Sequence, residues 1–121
     1  MLDHEMEAFG RRLGLESLSF SSEGVARLDI ANIGSFYLEK AEHDGRREIL
    51  AYLSAPLPEH DTGAIRRLLS LCNYRHALPM PLYAGVFSGR GMLLTRMDED
   101  GVTAASLENA LRFLADLMHG A

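Results

Sequence analysis

Few residues in this sequence have the types and spacing that a chemical site requires. Cys72 and His76 form a Cys-x3-His pair, which could supply two zinc ligands or a thiol with a neighbouring base. A closed zinc site needs four ligands, and none of the five histidines stands at His-x-His or His-x3-His spacing to another. Because Cys72 falls within an apolar helical pattern, which disfavours a reactive thiolate, we interpret it as a packing residue. The open alternative is an enzyme that uses Cys72 with His76.

Two further stretches could hold a nucleophile or a cation. Ser88 lies in a Ser-Gly-Arg-Gly stretch between two strand patterns, which is not the strand-turn-helix setting of a nucleophile elbow or a phosphate-binding loop. The run from Asp98 to Gly101 has three acidic residues, too few for the alternating ligands of a calcium-binding loop, and we interpret it as a solvated turn. The sequence therefore predicts no enzyme, no cofactor and no metal site.

The composition excludes several classes of protein. The chain has 121 residues, 47% of them apolar and 24% charged, and one cysteine, which is typical of a single globular domain over 1–121 without an internal disulfide. A formal net charge of −5 with dispersed arginine pairs argues against nucleic-acid binding. The N-terminal stretch has no signal-peptide pattern, and no apolar run reaches the roughly 20 residues of a membrane span. We expect a soluble, cytoplasmic protein without membrane insertion.

The spacing of apolar residues predicts the elements of the first half of the chain. A helix over 3–13 that Gly14 would end has an apolar stripe formed by Met6, Phe9 and Leu13. Alternation over 25–30, 36–40 and 49–53 predicts three strands. The turns between these strands are too short for helical crossovers, so the strands form an antiparallel meander.

The spacing of apolar residues in the second half of the chain predicts a helix, a β-hairpin and a last helix. The middle helix, over 62–73, has a wide apolar stripe formed by Ile65, Leu68, Leu69, Leu71 and Cys72. Strand patterns over 82–87 and 92–97 flank a glycine-rich turn and predict a β-hairpin. Thr103 would cap a last helix with the stripe Leu107, Leu111, Leu114 and Met118. The predicted fold is α+β, with an antiparallel sheet of five to six strands and three helices in the order α-β-β-β(-β)-α-β-β-α.

Several strands are apolar on both faces, although one face of a sheet in a small antiparallel domain is usually solvated. The neighbouring residues Met92, Leu93 and Leu94 show this pattern. Either the helices cover both faces, or part of the apolar surface is left for a partner. The stripe of the middle helix is wider than packing on a sheet requires, so this helix could also pack on a two-fold mate.

Three stretches together resemble a known family. The first helix runs into a Leu-Gly-Leu segment at 13–15, followed by Leu18-Ser19-Phe20 and Gly24. The alternating strand 25–30 comes next, and the chain closes with an amphipathic helix that contains Leu107, Leu111, Phe113 and Leu114. Over nearly its whole length the chain resembles the class I chaperones of bacterial type III secretion, the Tir-chaperone family.

This resemblance implies a function in protein transport and virulence. Proteins of this class are homodimers that bind the extended N-terminal segment of a secreted effector in the bacterial cytoplasm. They keep the effector soluble and competent for secretion without ATP, use no metal, and have the secretion ATPase as a further expected partner. The resemblance places the dimer interface on the middle helix, at Leu68, Leu69, Leu71 and Cys72. It places the effector-binding groove on the first helix and first strands, at Phe9, Leu13, Phe20, Leu28, Ile30, Phe36 and Leu38.

One alternative function is a non-catalytic domain for a small molecule or a peptide, unrelated to secretion. It would have the same α+β fold and a pocket beneath the Pro79–Pro81 loop. If the protein is a chaperone, we expect a stable dimer that turns over no substrate. If the alternative holds, we expect a monomer with a concave polar site.

Overall fold

A computed structural model describes residues 2–15, 17–56 and 81–120 of the chain. It contains two α-helices, five strands and one short 3-10 helix in these residues. Their bounds are α1 Leu2–Arg12, β1 Val25–Ile30, β2 Gly34–His43, β3 Arg46–Pro56, β4 Tyr83–Phe87, β5 Arg90–Asp98, the 3-10 helix Glu99–Gly101, and α2 Ala104–Gly120.

The five described strands form one antiparallel sheet in the order β1-β2-β3-β5-β4. The first three strands are a meander, as their short turns require. β5 then pairs with β3, and β4 lies outside β5. β3 is therefore the central strand of the described sheet, and β1 is one of its two edges.

One face of the sheet packs against the two helices. α2 lies across β3 and β5 and against α1, and Phe9 of α1 meets Phe36 of β2 edge to face, with ring centroids 6.2 Å apart. Each large apolar side chain buried here contributes about 1.5–3 kcal/mol. The largest apolar side chains that are fully buried are Phe9, Phe36, Met6, Leu38, Ile49, Leu53, Leu93, Leu107 and Leu114.

Side chains of Glu5, Thr103 and Ser106 cap the N-terminus of α2. The Thr103 hydroxyl accepts a hydrogen bond from the Ser106 amide (3.0 Å), and the Ser106 hydroxyl oxygen accepts one from the Thr103 amide (2.8 Å). A Glu5 carboxylate oxygen accepts a hydrogen bond from the Ala104 amide across the interface of the two helices (2.8 Å). Because the first amides of a helix have no partner within it, these bonds both cap α2 and hold α1 against it.

Gly14 ends α1 in the left-handed conformation, with φ of +79°. The Gly14 amide bonds to the Arg11 carbonyl (3.0 Å) and the Leu15 amide to the Gly10 carbonyl (2.9 Å), which is the bonding pattern of a Schellman motif. Gly10 is itself required, since a Cβ atom there would lie 2.9 Å from the Cβ of Leu18. The chain therefore turns sharply after α1 and returns beneath it.

The structure confirms the α+β class, the antiparallel meander, the hairpin of β4 and β5, and the helix that Thr103 caps. It describes five strands and two helices. The predicted middle helix over 62–73 and the Pro79–Pro81 loop lie outside the described residues. One detail differs from the prediction: Leu13 follows α1 and is 36% exposed, because the Schellman turn takes it off the buried stripe of the helix.

Candidate functional site

The outer edge of β1 carries backbone groups that the sheet does not use. The Lys40 amide donates to the Gly24 carbonyl (2.8 Å), just before the first pair of the β1–β2 ladder, Val25 with Glu39. Hydrogen-bonded pairs alternate along an antiparallel ladder, so Ala26, Leu28 and Ile30 bond toward β2. The N–H and C=O groups of Val25, Arg27 and Asp29 therefore point away from the sheet.

Ser21, which precedes β1, already binds the outward backbone groups of Val25. The Ser21 amide donates to the Val25 carbonyl (2.8 Å), and the Val25 amide donates to the Ser21 hydroxyl oxygen (3.3 Å). No described residue pairs with the outward backbone groups of Arg27 or Asp29. Among the described residues, the open edge of β1 thus has two residues, each with one donor and one acceptor that no described backbone group pairs with.

A groove of about 820 Å³ adjoins this edge. It lies between β1, the turn after α1, and one side of α2. Leu18 is buried on its wall, and Leu28, Ile30 and Leu111 also line it. Of the five exposed large apolar residues among the described positions, three lie on the rim of this groove: Leu13 (36%), Leu15 (39%) and Ile33 (37%). Such a concentration of exposed apolar surface is typical of an interaction site.

Charged side chains at the groove form two small networks. Glu108 contacts both Arg12 (3.5 Å) and Arg112 (3.0 Å), which links the end of α1 to α2. Asp29 accepts hydrogen bonds from the Ser35 hydroxyl (2.8 Å) and from Arg27 Nε (3.1 Å). The Ser35 hydrogen bond, followed by that of Arg27, lowers the pKa of Asp29 below its ordinary value, so Asp29 is ionised at neutral pH.

The opposite face of the sheet carries a row of aligned side chains. Arg27, Tyr37, Tyr52 and Leu94 are successive partners across β1, β2, β3 and β5. The rings of Tyr37 and Tyr52 stack at 4.8 Å, and the Arg27 guanidinium lies 5.5 Å from the centre of the Tyr37 ring. Burial raises the pKa of Tyr52. The strands are thus apolar on both faces, as their sequence indicates, and Tyr37, Tyr52 and Leu94 are half-buried.

The structure divides the predicted groove residues into groove-lining residues, core residues and Phe20, which belongs to neither set. Leu13, Leu28 and Ile30 line the groove. Phe20 is half-buried but does not line the groove, and the centre of its ring lies 4.8 Å from the Lys40 ammonium. The buried group consists of Phe9, Phe36 and Leu38, which belong to the core. The predicted dimer residues Leu68, Leu69, Leu71 and Cys72 lie outside the described residues.

Sequence reasoning did not select several residues that line the groove, namely Leu15, Leu18, Ile33 and Leu111. Leu15 carried a usable signal, because it follows a glycine that ends a helix and its position after the turn favours exposure. Ile33 carried another, because a large apolar residue in a hairpin turn is unusual.

Within the described residues, no group of three or more His, Cys, Asp or Glu side chains is placed to hold a metal ion. Among the described helices, none combines the length and apolar character that a membrane crossing needs.

Solved structures share this fold over nearly the whole chain. A chain in the crystal structure of the ExsC–ExsE complex is 24% identical, with a TM-score of 0.75, covering 98% of this chain and 89% of that one. A chain in the structure of Yersinia pestis SycH, a type III secretion chaperone, with a fragment of YscM2 is 17% identical, with a TM-score of 0.73, covering 99% and 98%. A chain in the heterodimeric ExoU–SpcU complex of Pseudomonas aeruginosa is 19% identical, with a TM-score of 0.65, covering 95% and 93%.

The fold is thus shared with a solved type III secretion chaperone, and the match to a family model confirms the resemblance to the type III secretion chaperones. The sequence matches the family of the type III secretory system chaperone SycN over residues 1–120, and the chain belongs to that family. No curated protein sequence matches the chain closely enough to count as a relative.

Proposed function

We propose that this secretion chaperone binds an extended N-terminal segment of a secreted effector along the open edge of β1 and keeps it soluble and competent for secretion. The observation that carries this proposal is the open edge at Arg27 and Asp29 directly beside an apolar groove. A sheet edge offers main-chain hydrogen bonds to an extended peptide, and neighbouring pockets select its side chains. The solved structures with this fold that hold partner proteins also support the proposal.

The register of β1 predicts the pattern of the bound segment. Two residues of the segment would exchange main-chain hydrogen bonds with Arg27 and Asp29. Residues opposite each other across a strand pair lie on the same face, so the residue opposite Leu28 would point into the groove, and so would the one opposite Ile30. The residues opposite Arg27 and Asp29 would lie beside side chains that are already ion-paired (3.1 Å). The segment is therefore expected to alternate apolar and small polar residues.

A proline substitution tests the pairing at the edge. Arg27→Pro removes one outward N–H, which the β1–β2 ladder does not use, and proline is tolerated at such edge positions. Arg27→Ala is the matched control, since it removes the same side chain but keeps the N–H. With the purified N-terminal segment of a secreted protein encoded beside this chaperone, we expect Arg27→Pro to weaken binding about tenfold relative to Arg27→Ala, as the loss of a main-chain hydrogen bond implies.

Isothermal titration calorimetry gives the two affinities, and circular dichroism verifies that both variants are folded. Equal affinities for the two variants would contradict pairing at this edge. The binding is proposed to need no ATP, so affinities measured with and without ATP should agree. The protein would then act by binding rather than by catalysis, in the bacterial cytoplasm, and hand its cargo to the secretion ATPase.

The chaperone is further proposed to be a homodimer. The support is the sequence of the middle segment, in which Leu68, Leu69, Leu71 and Cys72 share an apolar stripe at helical spacing. A two-fold dimer needs only one self-complementary patch, and an apolar stripe with flanking arginines supplies one.

A further inference from the structure

Charged residues line the apolar groove beside β1, and all but one of them have a partner. Arg12 and Arg112 both contact Glu108, and Arg27 contacts Asp29. Asp116 also lines the groove. It is exposed, and its side chain makes no ion pair or hydrogen bond in the part of the chain that the structure describes.

The lack of a partner for Asp116 has a physical reason. Arg112 stands four residues before Asp116 and four residues after Glu108, and it contacts Glu108 at 3.0 Å. An acid that precedes its base by four residues makes the better helical pair, because both charges then oppose the helix dipole. Arg112 therefore forms its ion pair with Glu108, and the carboxylate of Asp116 is exposed to solvent at the groove.

Asp116 lies near the C-terminus of α2, where the helix dipole adds to the negative potential around its carboxylate. α2 ends at Gly120, so Asp116 lies near the end of the helix that carries partial negative charge. An acidic residue there is locally unfavourable, and a cation beside it would relieve the repulsion. Ala115, its neighbour in sequence, also lines the groove, so the carboxylate stands next to apolar surface.

We infer that Asp116 is a specificity-determining residue that selects a bound segment with a lysine or arginine next to its groove-filling apolar residues. This inference rests on the proposed function. The aliphatic stem of a lysine or arginine would cover part of the apolar rim, while its charged end pairs with Asp116. Arg27 is paired with Asp29, and Arg12 and Arg112 share Glu108, so an acidic segment would have to compete with carboxylates that already contact these arginines.

A peptide array tests this selection. The probes are ten-residue peptides in which two leucines separated by one serine are preceded or followed by lysine, glutamine or glutamate. We expect wild-type protein to bind the lysine peptides about two- to fivefold more tightly than the glutamate peptides at low salt, the range of an exposed ion pair. The preference should shrink at high salt, because exposed charges are screened.

Variants separate the charge effect from the apolar contacts. Asp116→Asn should abolish the preference without abolishing binding, and Asp116→Lys should invert it. Asp44→Asn, which removes an exposed acid of the β2–β3 hairpin that does not line the groove, should leave the preference unchanged.

The outcomes also distinguish the two proposals. Equal binding of the lysine and glutamate peptides, with binding lost in Leu28→Asp, would overturn the role of Asp116 and leave the groove as the binding site. Binding by none of the peptides would overturn the proposed site together with this inference. If Asp116→Asn keeps the preference for lysine peptides, another residue makes the selection, and the proposed role of Asp116 is overturned.

Discussion

Thr95 places a hydroxyl group in the apolar core, on the helix-facing side of β5. Its side chain is 0% exposed, and its Oγ1 atom has no hydrogen-bond partner in the part of the chain that the structure describes. Its cross-strand partner on β3 is Ala51, which is also fully buried. An unsatisfied buried hydroxyl costs free energy, because it loses its hydrogen bonds to water on folding.

We expect Thr95→Val to raise the free energy of unfolding by about 1 kcal/mol, because valine keeps the shape and removes the unsatisfied group. Urea unfolding at a fixed protein concentration measures this as a higher midpoint. Thr95→Ala is the control: it also removes a methyl group, leaves a small void, and should lower the midpoint. A lower midpoint for Thr95→Val would mean that the hydroxyl is satisfied in solution.

At the scale of elements, an ion pair on the face opposite the helices links β3 to β5. Arg96 of β5 donates from Nη2 and Nε to the two carboxylate oxygens of Glu48 of β3, at 2.6 and 3.0 Å. These hydrogen bonds lower the pKa of Glu48 below its ordinary value of 4.5. The side chain of Glu48 is only 12% exposed, so the pair is less screened than most surface pairs.

The lowered pKa predicts how stability depends on pH. A carboxylate whose pKa is lower in the folded state stabilises the protein above its unfolded-state pKa, and this contribution disappears as the pH falls through the folded-state value. We therefore expect wild type to have a higher melting temperature than Glu48→Gln at pH 7, with a difference that narrows below pH 4.5. Melting curves from pH 7 to pH 3 test this, and a difference that stays constant over that range would contradict it.

The elements themselves were largely predictable from sequence. Their apolar spacing is local, and each turn carries a residue that supports it, such as Gly14 after α1 with φ of +79°. Less predictable was Gly34, which starts β2 with φ of +148° and has no room for a Cβ against the carbonyl oxygen of Ser54. That constraint comes from Ser54 of β3, which lies twenty residues after Gly34 in sequence but beside it in the sheet.

At the scale of the whole molecule, the dimer proposal makes a prediction of its own. If the apolar stripe over 62–73 joins two copies, the double substitution Leu68→Ala and Leu71→Ala removes contacts from the interface and should raise the dimer dissociation constant at least tenfold. Sedimentation equilibrium over a range of concentrations measures it. Arg66→Ala, on the polar side of the same stripe, is the matched control and should leave the dimer intact. An undiminished dimer in the leucine variant would exclude this interface.

The sequence alone determined the α+β class, the order of the described elements and the alternation of apolar residues along each strand, because these follow from local spacing. It also carried the resemblance to the type III secretion chaperones. Only the tertiary structure decided which apolar residues form the core and which form the groove. Leu28 and Phe36 are partners on the same face of the sheet, yet Phe36 is buried and Leu28 lines the groove. Alternation assigns a residue to a face, whereas burial depends on the position of its strand in the sheet and on where the helices cross it.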